Sequence, residues 1–443
     1  MSALDPPALR CAQSWEDLQH LTLRVGDAIS CLREMPAQSV QCTITSPPYW
    51  GLRDYGNEPS VWAPVRYAPI PGVEPISVPG QSDLQAFPSC AHEWAAWTES
   101  HDVRETHIHG KTRTTDRCYG SASRRFDGNH QKHTQGQFCV RCGAWRGCLG
   151  LEPSVDLYIG HLVQVFREVR RVMRADGTLW LNLGDSYTGS GKGGNPPDSI
   201  HQKQARNRGT RRHAVALDAG VGPKQLLLIP ARAALALQAD GWTLRQDIVW
   251  AKGASYARTW HGNPMPESVR DRPSRAHEMI FLLSPSPRYF YDSVAVKDLS
   301  AASVRDSTRK SPNDRPVLRN LRDVWAITTK PYPGAHFATF PPDLVGPMIA
   351  AGTPQAGCCP QCGAPWQRVR ASREWRPGCA CPERPPVPSV VLDPFSGAGT
   401  TGLVALANGR SAIGIEANAE YVALSRERIR TCLWTAGYGK RLE

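Results

Sequence analysis

At 443 residues, with 41% hydrophobic and 21% charged residues, the chain is long enough for one large domain with insertions, or for two to three domains, and for a sizeable core. No run of about 18 apolar residues occurs and no apolar stretch like a signal peptide opens the chain, so a membrane span is excluded and a cytoplasmic protein is expected. The net charge of +12 favours a polyanionic partner, because Lys and Arg that neutralise phosphates release condensed counterions, and in the cytosol the 14 Cys point to metal rather than disulfides.

In chain order, residues 21–25, 28–35 and 40–45 read as strand, helix and strand, a βαβ-like start. The last runs into Ser46-Pro47-Pro48-Tyr49-Trp50. No strand ladder tolerates two adjacent prolines, so this segment must be a rigid strand-end loop. Residues 60–148 lose the rhythm and read as an insert. Leu162, Val165, Phe166, Val169, Val172 and Met173 then share one helical face, Gly177 is expected to break that helix, and 179–183 reads as a buried strand. A basic loop follows at 186–213, where Lys192, Lys203, Arg206, Arg208, Arg211 and Arg212 face one acid, Asp198. A helix at 223–239 and strands at 244–250 and 279–283 come next. Residues 292–322 are polar and basic, 343–351 is helical, and 352–388 is a Cys- and Pro-rich insert. The chain closes as strand 390–392, helix 400–408, strand 412–415 and helix 419–433. Alternating strands and helices predict an open, mostly parallel α/β sheet.

Two groups of thiols have metal-ligand spacing. Cys359-x-x-Cys362 and, 16 residues later, Cys379-x-Cys381 suit a tetrahedral structural zinc ribbon. Cys90-x-His92 and, after 46 residues, Cys139-x-x-Cys142 offer a second set, with Cys118, Cys148 and several His as competing ligands. Four protein ligands leave no open position for a reacting water, so both sites are expected to be structural.

Near the C-terminus a strand delivers Asp393 to its carboxyl end, and Gly397 and Gly399 allow a tight turn into a helix whose first amides face a ligand. Gly397, Gly399 and Gly402 also satisfy G-x-G-x-x-G, with Glu416 ending the next strand, which admits a dinucleotide site. Only about 27 residues follow Glu416, too few for the further βαβ units a dinucleotide needs.

Asp393-Pro394-Phe395-Ser396-Gly397-Ala398-Gly399-Thr400-Thr401, Gly414-Ile415-Glu416 and His336-Phe337-Ala338-Thr339-Phe340-Pro341 resemble the methyl-donor motifs of the beta-class DNA amino-methyltransferases. Thr45-Ser46-Pro47-Pro48-Tyr49-Trp50 resembles that family's base-pocket loop, and 179–187, 228–230, 247–252 and 275–278 resemble its middle motifs. The resemblance covers roughly the regular two thirds of the chain. It implies a Rossmann-like S-adenosylmethionine methyltransferase fold, circularly permuted because the base-pocket motif comes first, with zinc-binding inserts.

The expected organisation is a catalytic domain in three pieces, 1–59, 149–351 and 389–443. An insert at 60–148 and a zinc ribbon at 352–388 interrupt it, and a target-recognition segment lies at 292–322. The resemblance implies S-adenosyl-L-methionine as donor, held by Asp393, Phe395, Gly397, Gly399, Thr400, Glu416, Phe340 and Asp27, the last of which is equally a helix N-cap. Ser46, Pro47, Pro48 and Tyr49 would present a flipped base for direct in-line transfer to its amine. Trp50, Lys252, Arg275, His277, Arg206, Arg208, Arg211 and Arg212 are the candidates for contacting double-stranded DNA. A cognate restriction endonuclease is the further partner implied. In this family Ser before the Pro pair is commoner in cytosine-N4 enzymes, which favours that product over N6-methyladenine. The other class left open is a zinc-containing DNA-binding protein without catalysis.

Overall fold

The structure is a computed structural model that describes residues 20–51, 55–78, 89–101, 132–188, 221–222, 224–255, 262, 269–299, 318–329, 340–369 and 374–435. Its first elements are β1 (Leu21–Val25), α1 (Ala28–Arg33) and β2 (Val40–Thr45). An irregular region follows with β3 (Ser60–Trp62), β4 (Val65–Tyr67), β5 (Ile76–Val78), β6 (Thr98–His101), β7 (Lys132–Phe138) and β8 (Trp145–Gly147). Next come α2 (Val155–Val172), β9 (Met173–Leu183), α3 (Ile229–Ala239), β10 (Thr243–Ala251), β11 (His277–Ser284), β12 (Asp298–Leu299), β13 (Leu318–Arg319) and β14 (Val324–Ala326). The chain ends with α4 (Pro342–Gly352), β15 (Gln367–Arg368), β16 (Trp375–Arg376), β17 (Val390–Asp393), α5 (Thr400–Ala407), β18 (Ser411–Glu416) and α6 (Ala419–Thr435).

Eight strands form one sheet in the order β1-β18-β17-β2-β9-β11-β10-β14. Every neighbouring pair is parallel except β9–β11 and β10–β11, so one strand is reversed and the expected mostly parallel α/β sheet is present. β1 and β2 are not neighbours: the C-terminal strands β17 and β18 lie between them, so the opening βαβ is not a self-contained unit. The all-buried sequence of β2, VQCTIT, fits a strand covered on both faces. Helices α1, α2 and α3 pack on one face around Leu32, Phe166 and Leu237, and α4, α5 and α6 on the other around Ile349, Val404 and Ile429.

Local chemistry explains where the boundaries move. α2 starts at Ser154, whose hydroxyl accepts the Leu157 amide at 3.2 Å. It stops at Val172 although Met173 continues the apolar stripe, because the carbonyls of Arg171 and Val172 accept the amides of Gln38 and Ser39 entering β2. Met173 therefore begins the strand, and Gly177 lies inside β9 rather than ending a helix. The helix expected at 223–239 begins only at Ile229, with Pro230 in its first turn and Leu228 in the left-handed region at φ 55°, ψ 37°. That conformation costs a residue with a Cβ about 1–2 kcal/mol.

Beside the main sheet, β3, β8, β7 and β6 form a four-stranded sheet, and β4 pairs with β5. Among the described residues no helix is long and apolar enough to cross a membrane.

Gly399, at φ 74°, ends the turn between β17 and α5, and a Cβ there would stand 1.9 Å from Ser425 Oγ on α6. Gly399→Ala should therefore lower stability by about 2–4 kcal/mol, from left-handed strain plus overpacking, measured by chemical denaturation.

Candidate active site

The carboxyl ends of β2 and β17 are adjacent, and each opens into one of the two loops singled out from sequence. A hydrogen bond joins them directly: Thr45 Oγ1 donates to Asp393 Oδ1 at 2.7 Å. Asp393 also accepts the Phe395 amide at 3.1 Å and, through Oδ2, the Thr401 hydroxyl at 2.8 Å. Burial raises its carboxyl to about 6, against the opposing pull of the Thr45 and Thr401 hydroxyls. Glu416 ends β18 and accepts the Gly397 amide through Oε2 and the Asn418 amide through Oε1, both at 2.9 Å. Burial raises its carboxyl as well. Arg428 of α6 donates to the Ala398 carbonyl and the Thr400 hydroxyl, each at 2.9 Å, which fixes the back of the loop.

On the other side, Ser46 donates to Tyr49 Oη at 3.0 Å, and Tyr49 donates to Glu278 Oε2 at 2.8 Å. Asn182 Nδ2 donates to both Tyr49 Oη, at 2.6 Å, and Glu278 Oε2, at 2.7 Å. Lys252 pairs with the remaining Glu278 oxygen and lies 4.4 Å over the Trp250 ring. Burial and the neighbouring Glu278 charge hold the Tyr49 phenol well above its ordinary range, so Tyr49 stays a neutral donor. The proline pair is held from outside: Tyr158 donates to the Pro48 carbonyl at 2.8 Å, and the Gly51 amide reaches the Gly150 carbonyl at 2.8 Å.

Both loops open into one cavity of about 540 Å³. On the glycine-loop side it is lined by Asp27, Phe340, Phe395, Gly397, Thr400 and Glu416. Ser46, Pro47, Pro48 and Tyr49 line the other side, with Lys252, Arg275 and His277 at that wall. Asp27 also caps α1 by accepting the Ser30 amide at 2.9 Å, so the helix-cap reading holds and the residue faces the cavity as well. Arg275 lies 3.5 Å from Asp185, and burial followed by the Arg275 charge lowers the His277 imidazole.

Three expected residues stand elsewhere. Trp50 is 1% exposed, its indole donating to the Glu152 carbonyl at 2.9 Å, so its ring is core and has no face for a base or DNA. Asp393 and Gly399 do not line the cavity, because Asp393 spends both oxygens on its own chain and Gly399 faces α6. Arg206, Arg208, Arg211 and Arg212, residues 336–339 and much of 292–322 lie outside the described residues. Conversely, Asn182 and Glu278 complete the network around Tyr49, although the sequence reading held them only within longer segments. A carboxylate next to a candidate DNA-facing His was the available signal.

The two thiol groups each converge. Cys90, His92, Cys139 and Cys142 bring their ligand atoms within 4.8 Å of one another, as do Cys359, Cys362, Cys379 and Cys381. Sulfur ligands at about 2.3 Å around a tetrahedral ion lie about 3.8 Å apart. Cys90 and Cys139 are 3.9 Å apart, so the donors fit zinc. The amides of Cys362 and Gln361 lower the Cys359 thiol to about 7, which favours a thiolate. The two groups sit at opposite edges of the sheet. β8, after the first, leads to Leu149 and Gly150 against the Ser46 loop, whereas the second is tied by Gln41 to the amino ends of β2 and β17 and by Arg174 to that of β9.

A glycine loop and a rigid proline loop at the carboxyl edge of a mostly parallel sheet, sharing one cavity, form the kind of site that enzymes of the α/β class place there. A family model described as DNA methylase, for the N6 and N4 enzymes, matches residues 40–427, and the chain belongs to this family of DNA amino-methyltransferases. The type II methyltransferase M.XycI of Xanthomonas campestris pv. cyanopsidis is 34% identical over 415 residues, covering 93% of this chain and 89% of the relative. M.SmaI of Serratia marcescens is 31% identical over 420 residues, covering 95% and 93%. The solved structure of the cytosine-N4-specific PvuII DNA methyltransferase aligns over 94% of each chain, at 14% identity and a TM-score of 0.43.

Asp393→Ala removes the acceptor for two buried hydroxyls and one loop amide. It should cost about 2–4 kcal/mol in denaturant unfolding. Thr401→Ser, which keeps the hydroxyl, should stay within about 1 kcal/mol.

Proposed function

We propose that the chain methylates the exocyclic N4 of cytosine in duplex DNA with S-adenosyl-L-methionine as donor. The observation that carries this reading is Ser46, on its proline loop, opposite the Phe395–Glu416 wall across a single cavity. The donor would supply an electrophilic methyl on a sulfonium. Phe340 and Phe395 would pack on its adenine side, Glu416 would accept from the ribose hydroxyls, and Asp27, Gly397 and Thr400 would complete the wall. Asp393 sets the loop's shape from behind and contributes a buried charge when ionised.

The amine of cytosine is a poor nucleophile because its lone pair is delocalised into the ring. Ser46 Oγ and the Pro47 carbonyl would accept its hydrogens and favour a pyramidal nitrogen aimed at the methyl group. The network beside them supports this. Ser46 turns its own hydrogen to Tyr49, which turns its own to Glu278, so the Ser46 lone pairs are left for the amine. Tyr49 would flank the flipped base with its ring held by those bonds, while Lys252, Arg275 and His277 would line the path of the extruded strand. The order of base loop before donor loop supports a circularly permuted, beta-class arrangement. M.XycI and M.SmaI are both named type II methyltransferases, which supports a role opposite a restriction endonuclease acting on the same site. One zinc in each thiol cluster would complete the inserts.

Incubation with labelled donor and mixed-sequence duplex DNA, followed by digestion to nucleosides, should yield N4-methylcytosine. N6-methyladenine as the sole product would overturn the base assignment, and donor binding without transfer to any DNA would favour a binding protein. Ser46→Ala should lower methyl transfer by at least about 100-fold with donor affinity within about twofold. Tyr49→Phe, which leaves the Ser46 hydrogen without its acceptor, should cost about ten- to 100-fold in transfer and about 1–3 kcal/mol in stability, since Asn182 and Glu278 lose a partner too. Metal analysis should find about two zinc ions per chain. Cys139→Ser should mainly reduce transfer and Cys359→Ser should mainly reduce thermal stability, because the insert that carries the first cluster reaches the base loop through Gly150, whereas the second is tied to the amino ends of the central strands.

A further inference from the structure

The apolar run Leu226-Leu227-Leu228-Ile229 alternates sharply in exposure. Leu227 and Ile229 are 1% exposed, whereas Leu226 is 36% and Leu228 52% exposed. Leu228 also holds the left-handed conformation, at φ 55°, that Gly or Asn would adopt with less strain. The segment is nevertheless fixed on every side. The Leu227 amide reaches the Ser186 carbonyl at 3.0 Å, the Ile229 amide reaches Asp185 Oδ1 at 3.0 Å, and the Leu228 carbonyl accepts the Arg232 amide at 2.9 Å. Asp185 belongs to the cavity wall, and its buried carboxylate ties down the amide that follows Leu228. Cations surround the spot: Lys224 pairs with Asp271, Arg272 lies 3.9 Å over the Tyr187 ring, and Arg275 faces Asp185.

An apolar side chain exposed to solvent on a fixed backbone, in a segment anchored to the pocket residue Asp185 and with cations on the neighbouring segments, matches the needs of a protein that unstacks a duplex. Extruding a base leaves a gap in the stack, and an inserted apolar side chain restores the lost contacts and blocks the base's return. We propose that Leu228, flanked by Leu226, is the wedge that enters the duplex at the target position while the neighbouring cations hold the phosphates. This positioning role rests on the reading of the cavity as a DNA base-methylating site. The partner is double-stranded DNA, and the wedge acts on the pairing of the target base rather than on methyl transfer itself.

The test compares the wild type, Leu228→Ala, Leu228→Gly and Leu228→Phe on two duplexes carrying the methylated site mapped with the wild type. One is fully paired, and in the other the target base lies opposite an abasic position. On the paired duplex the Ala and Gly variants should lose at least about tenfold in kcat/KM, while Phe retains most of it. On the abasic duplex, where no pairing opposes extrusion, all variants should stay within about twofold of the wild type. Fluorescence of a base analogue at the target position should show less extrusion by the Ala and Gly variants only in the paired duplex. Leu228→Gly relieves the backbone strain, so its melting temperature should not fall, which separates loss of the wedge from loss of the fold. Unchanged activity of both small variants, or equal losses on the two duplexes, would overturn the wedge while leaving the methyltransferase reading intact. A wild type that methylates neither duplex would overturn that reading and the wedge with it.

Discussion

The hydrogen bond from Thr45 to Asp393 links two residues 348 positions apart in sequence, and the site depends on it. It closes the contact between neighbouring strands at the point where each leaves the sheet. Asp393 then passes the constraint on, because the same carboxylate holds the Phe395 amide and the Thr401 hydroxyl and so shapes the glycine loop. A single buried carboxyl therefore sets how far apart the two walls of the cavity stand. Its burial is costly, and three donors within the fold offset that cost.

A second constraint operates at right angles to the first. The proline loop is rigid by composition, yet its orientation comes from neighbours: Tyr158 beneath Pro48, Gly150 against Gly51, and the Glu278 network at Tyr49. Glu152 ties these together, accepting the Gly150 amide with one oxygen and meeting His161 with the other. His161 in turn stacks between Trp62 and Trp145, so the four-stranded insert is packed into the support of the loop. The first thiol cluster lies beside that sheet, at the turn between β7 and β8, so the same insert joins the cluster to the support of the pocket.

Much of the fold was legible in sequence because its strands are buried on both faces and its helices carry one apolar stripe. β2 and the closing α5–β18–α6 run show this well. What sequence could not convey was pairing across long separations. The spacing of 21–45 reads as a local βαβ unit, but β17 and β18 occupy the space between its strands. Hydrogen bonds from the Gln38 and Ser39 amides, just ahead of β2, end α2 a residue early, and Leu228 shortens α3, neither of which propensity foresees. At the site, the motif residues were readable and their division of labour was not. Trp50 and Asp393 look like contact residues in a motif, whereas burial and bonding make one a core residue and the other an internal brace.

The placement of β17 and β18 between β1 and β2 bears on how the protein is made. Until β17 and β18 have been synthesised, β1 has no neighbour in the sheet and β2 has only β9, so the nascent chain presents open sheet edges. The sheet can close only after those two strands have left the ribosome. A prematurely terminated product would retain the base loop and the basic segments but lack the glycine loop and the partner of Thr45. Such fragments would be exposed to association and proteolysis rather than surviving as partly active enzymes. The order of these two motifs thus makes synthesis of β17 and β18 a condition for assembling the site.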